Sequence, residues 1–295
     1  MKKLTAAALG LIALAALPVS AANWSDTSLG FKTGSNFQEP GIADKVQKNI
    51  LSLTHVSGYA YGSNFFNVDM LKSDSKDPAN SSSPGTSEGA QEVYVAYKHT
   101  ISLSKLFGSK MEFGPVRDVE VTGGFDWSAK NTTFAPQVWK LMVGPQLSFK
   151  VPGFFTIAAL YYKETNHNAF GGYAASKGGA LNPHFDPTYQ IAGAWGIDVP
   201  VLTSKFKGFF TYTGAKGKDG SAVDTKPETL LNAYWMFDFG TIFGAKKGTW
   251  AVGPGFQYWN NKFGDPTYAT KADTPAGSVV NPKTTCVMAA LEYHF

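Results

Sequence analysis

Asp26, Phe65, Asp69, Tyr94, Lys98, Glu120, Asp126, Tyr162, Glu164, Tyr234 and Trp259 are the side chains with which this chain could hold a small molecule. Carboxylates and an ammonium group bond hydroxyls and ring nitrogens, while aromatic faces stack on flat rings. Each of these residues sits on the more polar side of a run that alternates in character, so the set is expected to share one face. The same residues would also suit a narrow barrel whose interior is simply filled and paired. There is no phosphate-binding glycine motif, no metal-ligand spacing and no nucleophile elbow. The five histidines, His55, His99, His167, His184 and His294, are scattered. No cofactor and no metal are expected, and the chain does not read as an enzyme. An enzyme of the barrel wall would need a serine and an acid beside His99, which faces outward, and none is visibly tied to it.

The elements that would position this set are β-strands. The last stretch, Thr284 to Phe295, alternates with period two: Thr285, Val287, Ala289, Leu291, Tyr293 and Phe295 on one side, Thr284, Cys286, Met288, Ala290, Glu292 and His294 on the other. Such a strand suits lipid on one face and a polar lumen on the other, although a soluble sandwich strand alternates in the same way. About twelve runs of this kind can be read along the chain. The clearest is Glu92 to Leu103, where Val93, Val95, Tyr97, His99, Ile101 and Leu103 oppose Glu92, Tyr94, Ala96, Lys98, Thr100 and Ser102. The first is expected near Trp24 to Lys32. A second, near Ile50 to Tyr59, has no clear face.

Residues 1–22 have a basic head, an apolar run from Leu4 to Leu17 and small residues up to Ala21 and Ala22. This is the pattern of a secretory signal peptide, leaving 23–295 as one barrel. The net charge of +4 includes Lys2 and Lys3, and Arg117 is the only arginine. Nucleic-acid binding, which relies on arginine and clustered positive charge, is not supported. With Cys286 as its only cysteine, the chain cannot form an internal disulfide.

The connections alternate in length. Long ones are expected near 33–49, 72–91, 128–138, 167–187, 214–228 and 262–283, and short ones near 60–63, 104–115, 150–153, 200–204 and 240–248. Transmembrane barrels pair short periplasmic turns with long outer loops, and a soluble sandwich has no reason to do so. Outward aromatics also fall into two belts. Trp127, Trp139, Tyr161, Tyr189, Tyr212 and Tyr258 lie beside long loops, while Phe149, Phe155, Phe206, Phe239, Trp250 and Phe295 lie beside short turns or the C-terminus. The fold class is therefore all-β: a transmembrane antiparallel up-and-down barrel of about twelve strands. Its place would be the Gram-negative outer membrane, among lipid and lipopolysaccharide, with Tyr293 and Phe295 as contacts for the barrel assembly machinery.

Several stretches carry a resemblance: Trp24-Ser25-Asp26, Gly62 to Met70 (GSNFFNVDM), Gly114 to Val119 (GPVRDV), Tyr161 to Asn168 (YYKETNHN), Tyr258 to Phe263 (YWNNKF) and the terminal Tyr293-His294-Phe295. In these the chain resembles the Tsx-type, nucleoside-specific channel-forming proteins of Gram-negative outer membranes, especially the marine bacterial branch. The resemblance implies a monomeric twelve-stranded barrel that takes up nucleosides passively through a narrow aromatic and polar lumen. It also implies outer loops that bacteriophages use as a receptor. A plugged barrel serving as an adhesion or receptor surface is the alternative.

Overall fold

The computed structural model describes residues 22–40, 42–77, 79, 89–131, 136–167, 180–220, 222–265 and 283–295. The signal-peptide reading and the Ser-rich stretch from Asn80 to Glu88 lie outside them. Twelve strands form a closed antiparallel barrel in which each strand pairs with its sequence neighbours and the last pairs with the first. They are β1 (Trp24–Gln38), β2 (Lys45–Tyr59), β3 (Gly62–Ser73), β4 (Gln91–Ser102), β5 (Val116–Lys130) and β6 (Gln137–Phe149). The second half consists of β7 (Gly153–His167), β8 (Thr188–Val199), β9 (Ser204–Thr213), β10 (Glu228–Asp238), β11 (Trp250–Asn260) and β12 (Thr284–His294). Closure pairs Leu29 with Tyr293 and Phe31 with Leu291, so no strand edge is left open.

The outer wall is apolar where the period-two pattern requires it. Along β12, Thr285, Val287, Ala289 and Leu291 are exposed while Thr284, Cys286, Met288 and Ala290 are buried. Val287 is 71% exposed, and Leu29, Phe31, Leu51, Leu141 and Val143 also stand open on the outside. Both aromatic belts form. Trp127 packs on Trp139 with ring centres 6.4 Å apart, and Tyr189 on Tyr212 at 6.2 Å, beside the long loops. Phe149 meets Phe155 at 5.0 Å and Trp250 meets Tyr293 at 4.6 Å beside the turns. No helix among the described residues is long and apolar enough to cross a membrane, but a barrel crosses with strands.

Four local expectations are corrected. The long connections expected over 33–49 and 128–138 are each only six residues, since β1 continues to Gln38 and β2 starts at Lys45, while β5 continues to Lys130 and β6 starts at Gln137. A bulge between Gly34 and Phe37 breaks the alternation in β1, so that run reads as loop in the sequence. The short connection over 104–115 contains a one-turn helix, α1 (Leu103–Phe107), and Leu103 starts that helix instead of ending β4. Ser102 caps it by accepting from the Lys105 amide, and Gly108 ends it in the left-handed region at φ 64°. The second strand gains its faces from pairing: Lys48, Ile50, Ser52 and Thr54 stand opposite Gly34, Lys32, Gly30 and Ser28, and all face inward.

Candidate functional site: the lumen

All the residues picked out from the sequence point into the barrel, but they fall at different depths and have different partners. Toward the long loops, the Tyr94 hydroxyl donates to Asp126 at 2.6 Å, and Lys140 donates to the same hydroxyl at 3.4 Å. The Tyr162 hydroxyl donates to Glu164 at 2.6 Å, and the Trp259 indole donates to Glu228 at 2.5 Å. Midway down, Asp69 accepts from Ser52 at 2.6 Å and faces Lys32 at 3.6 Å, while Lys32 lies over the Tyr234 ring. Toward the short turns, Glu120 accepts from Gln146 at 2.6 Å and Asp26 pairs with His294 at 2.9 Å. Phe65 and Lys98 stand opposite each other across the β3–β4 ladder.

The loop-side mouth is closed by side chains the sequence placed in outer loops. Glu39 follows β1 and is 2% exposed. Its carboxylate meets Lys48 of β2 at 2.5 Å, Lys262 after β11 at 2.7 Å and Lys130 of β5 at 3.9 Å. In the closed order of twelve strands, β5 and β11 are six places apart, on opposite walls. Glu39 thus ties both sides of the bore together. Asp77 at 3.9 Å from Lys48 and Glu92 at 3.5 Å from Lys130 bring the cluster to three carboxylates and three ammonium groups. A second tie runs from Lys216, in the loop between β9 and β10, to Glu164 at 2.7 Å.

Lys262 is aimed inward by local backbone. Asn261 and Phe263 on either side have φ of 47° and 63°, the left-handed region that side-chain-bearing residues avoid. The Lys262 ammonium lies 4.5 Å from the Trp259 ring centre and 5.1 Å from that of Phe263. Below the seal, Phe37, Val46, Ile50, Cys286 and Met288 form an apolar cluster inside the wall, so the loop-side half of the lumen is a filled core.

The two ends of the Glu39–Lys262 pair respond differently to pH. Burial disfavours the Glu39 carboxylate, but Lys130, Lys262 and Lys48 outweigh burial and hold its pKa well below the ordinary range. For Lys262, burial and then the repulsion of Lys48 and Lys130 outweigh Glu39, and its pKa falls to about 8. A lysine that loses its proton more easily when folded binds fewer protons folded than unfolded between about 8 and its ordinary 10.5. Stability therefore rises with pH across that window. The melting midpoint in detergent is expected to rise by roughly 2–5 °C between pH 7 and pH 9.5. In Lys262→Met that increment should disappear; an equal rise in the variant would assign it to another group.

The turn-side half is different. Phe209 of β9 faces inward, opposite Ala194 and Asn232, yet is 40% exposed. Phe154 of β7 lies over Gly196 on the same inner wall and is 45% exposed. Phe209 lies midway along its strand, so its exposure marks an open bore there. On the outer wall, His99 bonds Asn64 through Nδ1 at 2.7 Å and the Tyr59 hydroxyl through Nε2 at 2.9 Å. Neither of these partners is a serine.

No protein-family model matches the chain, and no curated protein matches it. Among solved structures, the KdgM porin in complex with disordered oligogalacturonate is similar at 8% identity and TM-score 0.43, covering 91% of this chain and 99% of that one. The translocator domain of the autotransporter NalP from Neisseria meningitidis is similar at 10% identity and TM-score 0.44, covering 100% and 96%. The beta domain of the Bordetella autotransporter BrkA is similar at 8% identity and TM-score 0.36, covering 91% and 98%.

Proposed function

We propose that this chain is an outer-membrane channel for passive entry of small polar ring compounds, nucleosides among them, with a gate at its loop-side mouth. A closed antiparallel barrel whose apolar wall carries two aromatic belts suits the bilayer of a Gram-negative outer membrane. The observation that carries the channel reading is the exposed, inward-facing Phe209. A barrel that was only a scaffold would bury that ring, as this one buries Tyr162 and Met288 nearer the loops. Twelve strands give a bore narrower than that of a 16–18-stranded general porin, which favours single small solutes.

The seal also favours a second reading, in which the barrel stays plugged and its outer loops act as a receptor surface. Swelling of liposomes holding the purified protein decides between the two. The channel reading expects adenosine, thymidine and similar solutes to enter slowly through the native protein and faster once the seal is broken. No entry in either case would leave the plugged barrel.

A further inference from the structure

The turn-side half of the lumen has one unusual lysine. Its other inward lysines have carboxylate partners: Lys207 meets Glu292 at 2.5 Å and Lys205 meets Asp198 at 3.3 Å. The acids there are also engaged, Asp26 by His294 at 2.9 Å and Glu120 by Gln146 at 2.6 Å. Lys98 has no acidic partner among the described residues. It stands in the middle of the inner face of β4, directly across the ladder from Phe65. Residues opposed in this way hold their Cβ atoms about 4.5–5.5 Å apart, so a cation and an aromatic ring are presented side by side. Across the bore are the exposed rings of Phe154 and Phe209, the latter on a strand five places from β4.

An unpaired ammonium group beside the half-buried Phe65 ring, in a bore with exposed phenyl rings on the far wall, is complementary to a small molecule with a flat apolar body and one negative charge. We propose that the turn-side vestibule is a binding site for small aryl carboxylates, with the carboxylate on Lys98 and the ring against Phe65. The inference rests on the channel reading for its water-filled bore and narrows the solute class within it. A neutral nucleoside would leave Lys98 unpaired, and an aliphatic acid would leave the rings wet. In a confined bore, a charge-assisted contact outweighs what it contributes in open water.

The test is binding of 4-fluorobenzoate to the full chain in detergent, followed by fluorine NMR line broadening. Lys98→Gln and Phe65→Ala should each weaken binding roughly tenfold or more, the equivalent of about 1.4 kcal/mol, and Lys98→Arg should restore most of it. Lys110→Gln, at a side chain 88% exposed on the turn between β4 and β5, should change nothing. Acetate, 4-fluorobenzyl alcohol and adenosine should each compete at least tenfold less well than benzoate. Broadening that is absent, unchanged in folded Lys98→Gln, or equally relieved by the neutral alcohol would overturn the proposal. Liposome flux is read separately, so a barrel that conducts but does not bind benzoate refutes only this site.

Discussion

Glu39→Gln is expected to open the barrel, raising liposome flux of small solutes by an order of magnitude or more over the native protein. Three ammonium groups converge on this one carboxylate, which lies within reach of opposite walls of the bore. Removing one member of a buried charge cluster costs about 3–5 kcal/mol, because the remaining charges are left without compensation. Strand pairing holds the barrel independently, so the loop-side segments can relieve that cost by leaving the mouth. Glu39→Asp, which keeps the charge on a shorter arm, should leave flux closer to native. Acid should imitate the glutamine variant, but only at low pH. A carboxylate with a depressed folded pKa contributes stability that is complete above its ordinary value of 4.5 and is lost as pH falls through the lower folded value. Flux should therefore stay low at pH 5 and rise only well below it. A Glu39→Gln protein that melts earlier but conducts no better would make the cluster purely structural.

Val143→Arg is expected to prevent stable insertion, whereas Phe209→Lys should be tolerated. Val143 lies near the middle of β6 on the outer wall, and Phe209 faces the open half of the lumen on β9. A cation on the lipid face near the midplane costs about 2–4 kcal/mol, and inside a watery bore it costs little. The measurement is urea unfolding in lipid vesicles, comparing each variant with the native chain. Equal loss in both variants would mean that the two faces do not differ in solvent.

The barrel is legible because period two survives along most strands: β4 alternates without interruption, and strand pairing follows from chain order. What was not legible lies where the alternation stops carrying information. The bulge between Gly34 and Phe37 hid the upper parts of β1 and β2, so Glu39 and Lys48 read as loop. Lys216 and Lys262 lie in segments rich in glycine and polar residues, and no local pattern says that such a segment turns into a bore. The positive φ of Asn261 and Phe263 is a property of the fold and has no residue signature comparable to glycine. The inward positions were assigned by alternation, yet the sequence could not tell which were free to meet a solute. Tyr94, Tyr162 and Trp259 have their polar atoms committed to Asp126, Glu164 and Glu228. Phe209, an apolar residue at an inward position, is left open to the bore.

The most direct measurement is a spin-label scan of β9 from Ser204 to Thr213 in lipid vesicles, with Cys286 replaced by serine. Labels at Lys207 and Phe209 should collide with a water-soluble nickel complex, and those at Phe206, Phe210 and Tyr212 with oxygen dissolved in the bilayer. The opposite phase, or one response along the whole strand, would contradict a water-filled bore inside a lipid-facing wall.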